Sequence, residues 1–311
     1  MKIDRRFLSF VILIILGLCG CRVSTNTKTF DDLTIPQKYT ALEDAENWYY
    51  FSDSIYKINK KSGVQTLVDR VESIGANCLD NGWIYFVDPD WNVCRVQTSG
   101  RDHTVLFNAK QFQEYEDDEY PVRDLKVVGH KVLLRMIYTL YCFDMETETI
   151  TQISDEVFSF ETKGQNVYYV GLDMTIFTTD LQTGESSVVL QSQYSAHPDD
   201  STNLYKNFIF IGDTMYYYMR NPDGLYCYQD GESRLISDDS DINEFSLLGY
   251  DGELYFVIRG DSVDQLMRYD PKDKTLDEVL QCNNVVSNPK IMNGYFYYRN
   301  SSYEIQEMKI S

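Results

Sequence analysis

The sequence predicts an all-β fold, a single seven-bladed β-propeller of four-stranded blades whose ring is closed by an N-terminal strand, with six or eight blades as the alternatives. Three observations lead there. A turn followed by an aromatic run recurs seven times along the 311 residues. Those runs do not alternate apolar with polar, so both faces of each strand need cover. Each run is also followed by the same two lesser phrases, which makes a four-strand unit.

The turns that open the repeated phrase fall at Asn47, Gly82, Gly129, Gly164, Gly212, Gly252 and Gly294. Their mean spacing is about 41 residues, within the range of four-stranded propeller blades. The runs that follow are WYYF (48 to 51), WIYFV (83 to 87), VLLRMIY (132 to 138), VYYV (167 to 170), MYYYM (215 to 219), LYFVI (254 to 258) and YFYY (295 to 298). Sheets stacked radially cover both faces of such strands. Tyrosine, which occurs 25 times, suits the seams between them, because its body is apolar and its hydroxyl can reach a wet edge.

A second phrase follows each run, for example IYKIN at 55, VCRVQ at 93, LYCFD at 140 and LMRYD at 266. A polar turn and a short β-branched piece come next, such as TLV at 66, TVLF at 104 or SVVL at 187. With the strand before each turn, every unit has four strands, A to D. The seventh unit stops at Ser311 without a D piece, and FDDLTI (30 to 35) has the character to fill that edge, followed by KYTALE as the first A strand. Pairing first and last segments would remove the exposed edges that invite aggregation. A β-sandwich or an irregular solenoid is the competing arrangement.

YFSD (50 to 53) and YFVD (85 to 88) resemble the Tyr-Trp-Thr-Asp signature of low-density-lipoprotein-receptor-type propellers, and CRVQTSGRDHTVL resembles the strand-turn-strand that follows it there. Phe stands in place of Trp, and the Asp is missing from later units. The resemblance implies a propeller, and places the chain beside uncharacterised bacterial surface lipoproteins with such repeats. Trp-Asp dipeptides and double glycines are absent, which disfavours the WD40 and kelch types.

Ahead of the repeats, Lys2, Arg5 and Arg6 precede an apolar stretch from Phe7 to Leu18, the pattern of a signal peptide over residues 1–20. That stretch is too short for a membrane-spanning helix, which needs roughly 20 apolar residues. Leu18-Cys19-Gly20-Cys21 resembles the bacterial lipobox. The resemblance implies cleavage after Gly20, lipidation of Cys21 and a protein held at the extracytoplasmic face of the cell membrane. An ordinary secretory peptide with two chance cysteines is the alternative. Residues 21–28 then form a tether and 29–311 the propeller. From Arg22 to Thr29 the tether reaches at most roughly 29 Å.

The net charge of −20 argues against nucleic acid, whose binders need a basic footprint, and against a direct electrostatic grip on an anionic membrane. Beyond Cys21, the cysteines Cys78, Cys94, Cys142, Cys227 and Cys282 are odd in number and lack C-x-x-C spacing, so neither a disulfide framework nor zinc is expected.

Strands in a blade are antiparallel, so B to C turns and D to A connections share one face. Two long D to A insertions, 108 to 121 and 191 to 203, land there together with DPDWN (88 to 92). The ligand-binding candidates are the aromatics Trp91, Tyr115, Tyr120 and Tyr194 with the carboxylates Asp88, Asp90, Asp117, Asp118, Asp199 and Asp200. Aromatic anchors suit a glycan or peptide, and carboxylates suit a cation. The bland alternative is that these acidic stretches are solvated loops. No cofactor is expected, and calcium has no motif, since Val93 stands where an EF-hand loop needs glycine. Gly-x-Ser-x-Gly, His-Glu-x-x-His, P-loop, dinucleotide and sialidase-type Asp-box patterns are absent, and no catalytic residue is assigned. The expectation is a monomeric binding or scaffold module for a protein, peptide or glycan of the cell envelope, with a surface hydrolase or lyase acting on a glycan as the alternative.

Overall fold

The computed structural model describes residues 27–71, 76–112, 122–191, 207–219, 223–243 and 246–310. Within them, consecutive strands pair with their neighbours into seven antiparallel sheets. Blade 1 spans 42–69, blade 2 77–108, blade 3 122–154, blade 4 157–190, blade 5 208–237, blade 6 248–282 and blade 7 287–309. The molecule is a seven-bladed β-propeller with very little helix.

The lack of alternation in the B strands has a direct structural cause. Each B strand divides its side chains between two seams. Tyr216 and Tyr218 pack toward blade 6 with Leu254 and Phe256, whereas Met215 and Tyr217 pack toward blade 4 with Val170 and Ile176. Ile84 and Phe86 of blade 2 likewise face Tyr49 and Phe51 of blade 1, while Tyr85 and Val87 face Val132 and Leu134 of blade 3. The remaining seams repeat this, so that one apolar cluster lies between each pair of adjacent blades. Fully burying a large apolar side chain stabilises by about 1.5 to 3 kcal/mol, and each central strand does so on both sides.

The turns follow the sequence pattern. Asn81 and Gly82, at φ 45° and 78°, form the left-handed pair of a tight hairpin. The Asp that ends several C strands organises the next turn: Asp144 Oδ1 accepts the N–H of Glu146 at 2.9 Å, and Asp180 Oδ1 accepts those of Gln182 and Thr183 at 2.7 and 2.9 Å. Asn59 does the same in blade 1, accepting from Lys61 and Ser62.

The ring closure departs from expectation. Phe30–Asp32 is a 3-10 turn and Ile35–Thr40 is a short α-helix, α1, so the segment expected to supply a closing strand is helical. Among the described residues blade 7 accordingly has three strands. Thr34 and Gln37 form a capping box and Pro36 lies in the first turn, and these local signals outweigh the β-character of the apolar residues. The first A strand shrinks to Leu42–Glu43. Closure is made by side chains instead. Phe30, Leu33 and Ala41 pack with Tyr50 and Ile58 of blade 1 and Met292 and Tyr297 of blade 7. Lys38, buried on α1, donates to both carboxylate oxygens of Glu307 in blade 7 at 3.1 Å. Among the described residues no helix is long and apolar enough to cross a membrane.

Candidate functional site

On the face expected to bind, the B to C turn of blade 2 is built around its own carboxylate. Asp88 Oδ1 accepts the N–H groups of Asp90 and Asn92, each at 2.9 Å, and Oδ2 accepts the Asn92 amide at 2.9 Å. That side chain is occupied in holding the turn. Trp91 sits at φ 67°, half-buried against the seam between blades 2 and 3, with the Lys110 ammonium 5.7 Å from its ring centre. Asp90 is exposed. The D to A connection does meet this turn, since the Ala109 N–H donates to the Trp91 carbonyl at 2.8 Å. Tyr115, Asp117, Asp118, Tyr120, Tyr194, Asp199 and Asp200 lie outside the described residues, as does Cys21. The same face carries Tyr138 and Tyr303, 46% and 73% exposed on the B to C turns of blades 3 and 7. Neither was singled out by sequence, because a single tyrosine among 25 carries no signal of exposure.

A cleft of about 490 Å³ opens on the opposite face, between blades 2 and 3. Blade 2 supplies Asp80, Asn81, Trp83, Tyr85 and Arg95, and blade 3 supplies Gly129, His130, Met145 and Glu146. Strand alternation explains the first wall: Val93 and Arg95 point toward blade 3, whereas Cys94 and Val96 point toward blade 1. The hairpin turns at Gly82 and Gly129 bring the rim residues together. The Met145 N–H donates to the His130 carbonyl at 2.9 Å, which fixes two rim turns of blade 3 against each other.

Arg95 is the central group of the cleft. Its guanidinium lies 4.5 Å from the centre of the Trp83 ring, and its Nη1 donates to the Met145 sulfur at 3.2 Å. Its Nε is buried and has no hydrogen-bond partner. Burial pushes the Tyr85 hydroxyl up, an effect the adjacent Arg95 opposes by hydrogen bonding and charge. At the rim, His130 Nε2 lies 3.3 Å from Asp144 and its Nδ1 3.8 Å from Glu146. The Asn81 amide donates to Asp80 at 2.9 Å. Among the described residues no group of three or more His, Cys, Asp or Glu side chains is placed to hold a metal ion. The arrangement offers an aromatic wall, a planar cationic donor and flanking carboxylates, which are the materials of recognition.

Fold and cleft together define a β-propeller with a recess at the seam between blades 2 and 3. No family model matches the chain, and no curated protein matches it. Solved structures share its fold at low identity. YCF48, solved with a D1 peptide bound, has a TM-score of 0.57 at 9% identity, over 90% of this chain and 96% of that one. PorZ, a surface component of the type-IX secretion system of Porphyromonas gingivalis, has a TM-score of 0.56 at 14% identity, over 87% of this chain and 36% of that one. The extracellular domain of BT4673 from B. thetaiotaomicron has a TM-score of 0.55 at 14% identity, over 86% of this chain and 37% of that one. The chain thus spans little over a third of the latter two proteins' lengths.

Proposed function

We propose that this protein is an extracytoplasmic lipoprotein, anchored through Cys21, whose propeller is a binding or scaffold module for a protein, peptide or glycan of the cell envelope. The observation that carries the recognition role is the cleft between blades 2 and 3, where an aromatic wall surrounds a guanidinium with a buried, unpartnered Nε. A rigid ring is suited to such work, because binding groups held by packed strands lose little freedom when a ligand arrives. The anchor rests on the Leu18-Cys19-Gly20-Cys21 pattern. Two or more acyl chains at about 0.8 kcal/mol per buried CH₂ give a stable attachment. In this reading the insertions carrying Tyr115, Asp117, Asp118, Tyr120, Tyr194, Asp199 and Asp200 are a second set of contacts, on the face where the sequence predicts the D to A connections. Extracellular and surface-component propellers of the same fold support the location, and the peptide-bound YCF48 supports the mode.

Two experiments test this. Cross-linking in intact cells, followed by recovery of the protein, should yield a defined envelope partner; recovery of the chain alone refutes the module reading. Cys21→Ala should move the protein from the membrane fraction to the soluble one. Continued membrane retention of that variant refutes the anchor.

A further inference from the structure

The position of Arg95 recurs in every blade, directly across from the third residue of the B strand. Arg95 pairs with Tyr85, Lys57 with Tyr49, Arg268 with Tyr255 and Glu307 with Tyr297. Four blades therefore place a charge at one equivalent point on a seam. In three of them the fold supplies a carbonyl or carboxylate oxygen or a counter-cation, although the Nε of Arg268, like that of Arg95, is buried without a hydrogen-bond partner. The Lys57 ammonium donates to the Thr98 carbonyl of blade 2 at 2.8 Å. Arg268 has Asp277 at 3.3 Å and Glu253 at 3.9 Å, and Glu307 receives Lys38. Arg95 is the exception, for its partners are a thioether, an indole face and the Tyr85 hydroxyl, with no carboxylate among them. A thioether is a weak acceptor that neutralises no charge. A buried donor without a partner costs roughly 1 to 3 kcal/mol, so the arrangement is unfavourable for the fold taken alone.

From this we infer that the cleft between blades 2 and 3 recognises a carboxylate on a peptide segment that also carries a basic side chain. A guanidinium stacked on an indole keeps its N–H groups in its own plane, which is the geometry for a two-point hydrogen bond to a carboxylate. Trp83 and Met145 provide apolar surface for the aliphatic stem of the acidic residue, backed by the buried Tyr85. Asp80 and Glu146 at the rim attract a cation beside it. The net charge of −20 selects further, because a polyanionic glycan would be repelled before reaching the cleft, whereas a segment of mixed charge would not. A volume of about 490 Å³ is within the range of small-ligand sites.

This inference rests on the binding-module reading and narrows it to one site and one ligand chemistry. The full-length chain in detergent micelles is titrated with acetyl-Lys-Glu-Lys-amide, with the Gln counterpart and with glucuronate. Trp83 serves as the fluorescent reporter, assigned with Trp83→Phe. We expect a saturable change with the Glu peptide and at least roughly tenfold weaker binding of the Gln peptide, which corresponds to losing one charge-assisted contact. Arg95→Gln should abolish the preference for Glu over Gln. Glu146→Gln should weaken the Lys-flanked peptide several-fold. Arg95→Met should unfold at the same temperature as the parent or higher, since it removes a cation that no carboxylate neutralises and a buried Nε without a hydrogen-bond partner. Equal binding of the Glu and Gln peptides, absence of a saturable change, glucuronate binding as tight as the peptide, or a fall of many degrees in the Arg95→Met unfolding midpoint would each overturn the inference. Undiminished cross-linking of an envelope partner by Arg95→Gln would also sink this site, while leaving the broader module reading intact.

Discussion

Tyr49 and Tyr297 hold equivalent places in blades 1 and 7, and both are almost fully buried. Their hydroxyls meet different fates. Tyr49 donates to Asp44 Oδ2 at 2.7 Å, whereas the Tyr297 hydroxyl has no partner. Tyr49→Phe should therefore cost about 1 kcal/mol, and Tyr297→Phe should be neutral or slightly stabilising, as read from urea unfolding midpoints. Asp44 shows the same logic in its ionisation. Burial pushes its carboxyl up, but hydrogen bonds from Tyr49, Glu46 and Asn47 outweigh that and hold it low. Asp144 lies further down, moved from 3.8 to about 2, first by its hydrogen bond from Lys131. A carboxylate depressed in the folded state stabilises above its unfolded pKa and loses that contribution as pH falls through the folded one. The stabilisation by Asp144 should thus be complete above about pH 4 and lost toward pH 2. Asp144→Asn should flatten the decline of unfolding midpoint over that window, relative to the parent measured at the same pH values.

At the scale of elements, the closing helix α1 can be tested directly. Lys38 and Glu307 are 8% and 18% exposed in their side chains, so breaking one partner strands a largely desolvated charge. Lys38→Met should cost roughly 3 kcal/mol. The double variant with Glu307→Gln should recover part of the loss, giving a coupling of at least about 1 kcal/mol in a thermodynamic cycle. This element also marks where sequence reading stopped. Central strands were legible because their phrase repeats and its B runs match strands such as Trp83–Val87 and Thr214–Met219. The closing segment was misread because Phe30, Leu33 and Ile35 suggest a strand, whereas Pro36 and the Thr34 and Gln37 pair are helix-start signals that fit a single turn. The cleft was not legible either. Arg95 stands inside the quoted phrase VCRVQ, but its lack of a carboxylate depends on what blade 3 presents across the seam. Only the strand register, which aligns Arg95 with Lys57, Arg268 and Glu307, makes it an exception.

For the whole molecule, the seams make stability collective. Every blade contributes one wall to each of two clusters, so removing a blade exposes both. A chain truncated after Cys282 loses Phe296 and Tyr298 from one seam and Tyr297 and Met292 from the next. It should fail to fold into a six-bladed ring, and near-ultraviolet circular dichroism should show loss of fixed aromatic packing. The five cysteines of the blades are free. Burial pushes the thiols of Cys78, Cys94 and Cys282 up to about 12, so almost none of each is present as the reactive thiolate near neutral pH. The ring closure has a mechanical consequence as well. Tension arriving from the N-terminal side meets first the isolated bridge between Thr27 and Val64, and then α1, which is fastened by side chains where an extra strand would have added a ladder of main-chain hydrogen bonds. Under load the ring would part at that clasp before any blade unravels.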